Sequence, residues 1–239
     1  MVYQAQNMRL NEVQLISEHE ETRVLVCEDL QSPQRTRYCV FVTGDHDLIA
    51  RLHRVYSSAK NISETTDIRY YSDGGRFLVV YPYVAPRPMA QFYMGKDMPL
   101  SECEDIGKNF IVACMTAELP WAVLYLALKQ GQVNIARDGS VYFSYALDLS
   151  EIDESIGERE CVQCCAKELV SMFSEKPSNL KWHLRDLLKK KSEHASFSSF
   201  TELYRDVNVA SNQSSAKGIF KRLQVWFEES VNSLFTERE

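Results

Sequence analysis

NIARDGSVYFSYALDLS, from Asn134 to Ser150, lies within a stretch (Val133 to Leu149) that reads as a small hairpin of two short apolar strands about the turn Arg137-Asp138-Gly139. Upstream of it, a helical pattern runs from Ser101 to about Lys129, with an apolar face through Ile106, Phe110, Cys114 and Leu124 to Leu128. Ser101 and Glu104 have the spacing of a capping box, and Pro120 is expected to kink or split the helix. Before that, Pro86 and Pro88 bracket Arg87 and stiffen the backbone, so Tyr83 to Pro88 reads as a hinge between two packing units. Downstream, from Glu158 on, the pattern is helical.

The N-terminal part reads mainly as strands. LNEVQLI, TRVLVCEDL and RYCVFVT, within Leu10 to Thr43, suggest three antiparallel strands separated by polar turns. DHDLIARLHRVYSSA follows as one amphipathic helix through Leu48, Ile49, Leu52, Val55 and Tyr56, with Asp45 or Asp47 able to accept from the free N–H groups at its start. Two more strands, IRYYS and RFLVVYP, are joined by Asp73-Gly74-Gly75, whose glycines tolerate positive φ.

With 239 residues, 45% hydrophobic and 25% charged, the composition is that of a globular protein. The net charge of −6 offers no overall attraction to nucleic-acid phosphates or anionic lipids, so no nucleic-acid partner is expected. There is no long apolar run and no basic, apolar leader at MVYQAQNMRLNEV, so a cytoplasmic location is expected. Seven cysteines, an odd number in mostly apolar contexts, suggest reduced, buried thiols rather than a disulfide framework.

The order strand, strand, strand, helix, strand, strand, hinge, long helix, hairpin, helices resembles the protein-kinase fold. The resemblance spans roughly residues 9 to 207, and its most specific pieces are NIARDGSVYFSYALDLS, similar to the segment from the catalytic loop to the metal-binding motif, and LRDLLKKKSEHASFSSFTELYRDV (184–207), similar to the last two kinase helices. It implies a two-lobed α+β fold. A small N-lobe, 1–84, would hold five antiparallel strands and one helix; a larger, shortened helical C-lobe would run over 85–209; a linker and an amphipathic C-terminal helix would fill 210–239.

The residues that make such a fold catalytic are missing. ISEHEETRVLV (16–26), where the phosphate loop would fall, has no glycine, and Glu18, Glu20 and Glu21 would repel a triphosphate. YCVFV (38–42) lacks the phosphate-pairing lysine. If Asn134 matches the catalytic-loop asparagine, Lys129 stands where the base should be and cannot accept a proton as a carboxylate does. Tyr145 in Tyr145-Ala146-Leu147 replaces the magnesium-binding aspartate, with Asp148 three residues late. The segment between Leu149 and Glu160 is too short for a full activation segment. The expectation is therefore a catalytically inactive, pseudokinase-like interaction or scaffold module with no catalytic residues, no cofactor and no metal site. Two alternatives stand beside it: a degenerate enzyme in which Asp148, Asp138 or Asp153 binds metal and Asn134 assists, and an unrelated α+β protein.

Other features have simpler readings. Cys161-Val162-Gln163-Cys164-Cys165 contains a CxxC but no second ligand pair, and Cys161, Cys165 and Leu169 fall on one helical face, so core packing is expected. The histidines, His19, His46, His53, His183 and His194, have no ligand spacing. Arg185 and Lys189-Lys190-Lys191 read as a solvated helix end or a patch for an acidic partner. After the polar run Ala210 to Ser215, the apolar residues Ile219, Phe220, Leu223, Trp226, Phe227, Val231, Leu234 and Phe235 recur at helical spacing. Phe220, Leu223, Trp226 and Phe227 are the partner-binding candidates: this helix folds back on the helical lobe, docks a protein partner, self-associates, or adjoins a membrane if the chain continues.

Overall fold

A computed structural model of the chain describes residues 1–58, 68–87, 98–174 and 181–212. The fold is α+β. Six strands, β1 (Val2–Ala5), β2 (Met8–His19), β3 (Thr22–Asp29), β4 (Arg37–Thr43), β5 (Arg69–Asp73) and β6 (Arg76–Pro82), form one antiparallel sheet in the order β1-β2-β3-β4-β6-β5. A helix, α1 (His46–Ser58), sits between β4 and β5. The helical part holds α2 (Leu100–Thr116), α3 (Trp121–Lys129), the hairpin β7 (Val133–Ile135) and β8 (Val141–Phe143), α4 (Glu158–Ser174), α5 (His183–Glu193) and a helix over 200–212, α6.

The alternation of side chains along β4 and β6 explains why their sequences read as unbroken apolar runs. Cys39 and Phe41 on β4, with Phe77, Val79 and Tyr81 on β6, face α1 and the helices in one large core. Val40 and Val42, with Leu78 and Val80, point the other way into a second core with Tyr3, Leu10, Leu25 and Cys27. That second core exists because the sheet curls: β1 at one edge approaches β5 at the other, and the Gln4 amide donates to Asp73 Oδ2 at 3.3 Å. The sequence reading expected five strands, and β1 is the sixth. Its signal is slight, only Tyr3 and Ala5 alternating inward before a turn at Gln6, which has φ 48°.

Several local expectations match. Asp45 caps α1, accepting from the amides of Asp47 and Leu48 at 2.9 and 3.2 Å. Gly74 and Gly75 take φ 56° and 81° in the turn between β5 and β6. The expected split falls at Pro120, which stands immediately before α3. The segment 83–87 has no regular structure, and Pro88 lies outside the described residues. The larger core runs without a break from the sheet through α1 into the helices.

Two expectations fail. There is no capping box at Ser101, because α2 starts one residue earlier behind Pro99 and Glu104 turns inward instead. Buried Glu104 accepts from the Trp182 indole at 2.8 Å and from Ser211 Oγ at 2.5 Å, tying α2 to the start of α5 and the end of α6. The polar run expected as a linker is, through residue 212, part of α6, with Ala210 and Ser211 buried. Bonding to a buried carboxylate satisfies the Ser211 hydroxyl in a way that a polarity pattern does not register.

Gly107 lets α2 and α4 meet closely. A Cβ there would come 2.9 Å from Phe173 Cζ and 3.3 Å from Leu169 Cδ2. Gly107→Ala is expected to lower stability by about 1–3 kcal/mol, overpacking outweighing the gain in helix propensity. A urea midpoint equal to or above that of the parent would show that Phe173 yields without cost.

Candidate functional site

The junction of the sheet and the helical part brings together β6, the segment 83–87, the hairpin β7–β8 and the loop that follows it. At its centre are three tyrosines. Tyr145, just after β8, stacks on Tyr81 of β6 with ring centroids 5.3 Å apart and planes 4° from parallel. The buried hydroxyls of Tyr81 and Tyr56, the latter on α1, hydrogen-bond to each other. Burial pushes both phenols well above their ordinary pKa, so they are neutral partners rather than acids near neutral pH. Phe41 is fully buried in the same core.

Asn134, on β7, is 1% exposed. Its amide nitrogen donates to the Gln132 carbonyl at 2.9 Å and to Ser144 Oγ at 3.0 Å, while its Oδ1 accepts from the Arg87 amide at 2.5 Å. Ser144 Oγ in turn donates to Gln132 Oε1 at 2.7 Å. With both amide hydrogens and the carbonyl engaged, Asn134 joins the hairpin to the segment 83–87; the Tyr142 hydroxyl, donating to the Ala85 carbonyl at 3.2 Å, does the same.

The carboxylates singled out from the sequence are occupied locally and are not brought together. Asp148 Oδ1 accepts from the Ser150 amide at 2.9 Å, and its backbone is held at both ends by the Gln130 side chain, which donates to the Asp148 carbonyl at 2.7 Å and accepts from the Asp148 amide at 3.0 Å. Asp138 and Asp153 each accept from a hydroxyl and an amide two residues on, those of Ser140 and Ser155, and these bonds hold both carboxyls below their ordinary pKa. Lys129 stands at the surface with its ammonium 5.0 Å from the Tyr125 ring centroid, and interaction with the Tyr125 hydroxyl raises its pKa. Among the described residues no three His, Cys, Asp or Glu side chains are grouped to hold a metal ion. The cysteines of the CxxC lie on α4; Cys161 and Cys165 are buried, and the Cys161 thiol donates to the Trp121 carbonyl at 3.0 Å, as core packing requires.

Beneath the β2–β3 turn a cavity of ≈ 730 Å³ opens between His19, Glu20, Glu21, Thr22, Asp45, Leu48 and Ser150. Its size would suit a small ligand, but its three carboxylates oppose a phosphate. Helix α1 is bolted to the loop beside it: Arg51 donates to the Ile152 carbonyl at 3.2 Å, and Arg54 pairs with both oxygens of Glu154 at 2.6 and 3.2 Å.

No model of a known protein family matches this chain, and a search of curated proteins finds no match to it. The partner-binding candidates Phe220, Leu223, Trp226 and Phe227 lie outside the described residues. Sequence reasoning missed Gln130, Gln132 and Ser144. Two glutamines flanking Gly131 before a short strand are the only signal they offered, and it becomes meaningful once the hairpin is folded.

Two outcomes follow. Tyr81→Phe strands the buried Tyr56 hydroxyl and is expected to cost about 1–3 kcal/mol, most of which the double variant Tyr56→Phe/Tyr81→Phe recovers; additive losses in a denaturation cycle would show the two hydroxyls to be independent. Burial raises the thiols of Cys39 and Cys164 from the ordinary 9.0 to about 11. Their contribution to stability is full below pH 9 and is lost as pH rises toward 11, because the unfolded thiols ionise first. Urea midpoints should therefore fall over that range, and a flat or rising profile would contradict the burial argument.

Proposed function

We propose that this chain is a catalytically inactive, kinase-like module that acts by binding another protein, as a scaffold or docking unit. The order of the described elements along the chain supports the kinase-like part of this reading, as do the antiparallel sheet, the helix α1 between β4 and β5, and the irregular segment 83–87 after β6. The observation that carries inactivity is the packing where the sheet meets the hairpin β7–β8. Tyr145 stacks on Tyr81 where a metal-binding carboxylate would be needed, and Asn134 spends its amide on the hairpin and on Arg87. β4 carries no lysine, and the neighbouring cavity is lined by Glu20, Glu21 and Asp45, whose charges oppose a phosphoryl group.

Binding of a partner is supported by the outer edge of β2. Strand β1 covers only Met8–Asn11, so from Val13 to His19 the edge facing away from β3 carries no partner strand among the described residues. Val13, Leu15 and Ile16 are there 46%, 42% and 41% exposed, and register shifts fall at Val13 and Ile16.

Calorimetric titration of the chain with ATP and ADP, with and without Mg²⁺ or Mn²⁺, tests the reading. No heat up to millimolar nucleotide is expected. Saturable, metal-dependent binding that disappears in Asp148→Ala would overturn it in favour of a degenerate nucleotide-binding enzyme.

A further inference from the structure

The last described residue, 212, is still helical and lies one turn beyond a small groove between α5 and α6. Its walls are His183, Leu187, Lys191, Asp206, Val209 and Ala210, and it encloses ≈ 230 Å³. That is below the range of about 300–1,000 Å³ usual for small-molecule pockets and suits an inserted side chain better. Lys191 is engaged there with Asp206 and Glu202, which fixes the polar wall, while Val209 stays 51% exposed. On the outer side of α5, Lys189 and Lys190 point into solvent.

The sequence that follows has complementary properties. Ile219, Phe220, Leu223, Trp226 and Phe227 make an aromatic stripe at helical spacing that needs cover from water, and Glu228-Glu229 lies directly after it. Six residues lie between residue 212 and Ile219, a span of at most about 25 Å, which is ample for a groove one turn from residue 212. We infer that the segment 217–235 docks on the same chain. Its stripe covers the α5–α6 groove with an aromatic side chain inserted beside Val209, and Glu228 and Glu229 face the basic turn of α5. The two sequence features left without a role by the junction of sheet and helices, the lysine run and the C-terminal stripe, are then two sides of one contact. A protein partner that uses Phe220, Leu223, Trp226 or Phe227 would have to displace this contact first.

Hydrogen exchange on the full chain, read by peptide and paired with light scattering at two concentrations tenfold apart, tests the inference. In a monomer at both concentrations, amides of 219–235 should exchange at least about tenfold more slowly than an unstructured chain, which an isolated helix of this length would not achieve. Val209→Asp and, separately, Lys189→Glu/Lys190→Glu should each speed that exchange several-fold and leave β3 and β4 unchanged. The second pair lies on an exposed face, so it remains informative if the first variant loosens α6. Exchange of 219–235 at the unstructured rate would overturn the inference. So would protection that neither variant alters, which would put the segment elsewhere, or protection seen only as the chain dimerises, which would make a second copy the occupant.

Discussion

Strands β4 and β6 are buried on both faces, and the arrangement of the molecule follows from that. One set of side chains, Cys39, Phe41, Phe77, Val79 and Tyr81, seals the sheet to α1 and the helices; the intervening set, Val40, Val42, Leu78 and Val80, needs a second cover. Among the described residues no helix supplies it. The sheet bends round until β1 and the turn side of β2 close over the far face, so Tyr3 and Leu10 complete a core that an open sheet would leave wet. A register slip of one residue in either strand would exchange the two sets and empty both cores.

The same strand pair sets the chemistry of the junction. Because β6 delivers Tyr81 to the sheet's inner face, the residue after the hairpin meets an aromatic plane, and Tyr145 fills that place with apolar contact rather than with a charge. The polar groups nearby then serve geometry. Gln132, Asn134 and Ser144 hydrogen-bond to one another and, through the Arg87 amide, to the segment 83–87, while Gln130 holds the following loop at the Asp148 backbone. Networks of this kind confer rigidity because each member left alone would be a buried, unsatisfied group.

Much of this was legible in the chain. CVFV and FLVVY announced strands, Asp45 or Asp47 announced a cap, and Asp138-Gly139 announced the β7–β8 turn, because each is written in neighbouring residues. What was hidden depends on distant partners. The short strand at Val2–Ala5 has too few apolar residues to stand out, and only its pairing with β2 and approach to β5 make it a strand. Glu104 had the spacing of a cap, yet Trp182 and Ser211, 78 and 107 residues away, draw it inside. Asn134 matched a catalytic-loop position by order alone, while its actual bonding depends on Gln132, Ser144 and Arg87.

The closure of the sheet has a consequence for the order in which the protein can be made. Gln4 meets Asp73 across 69 residues of chain, so the β1–β2 hairpin leaves the ribosome well before the strand that completes its core. At about 5–20 residues per second, Tyr3 and Leu10 wait for roughly 3–14 s before β5 and β6 arrive. During that interval Leu25, Cys27, Val40 and Val42 of β3 and β4 are the native cover available to the hairpin, and Leu78 and Val80 complete the core only when β6 arrives.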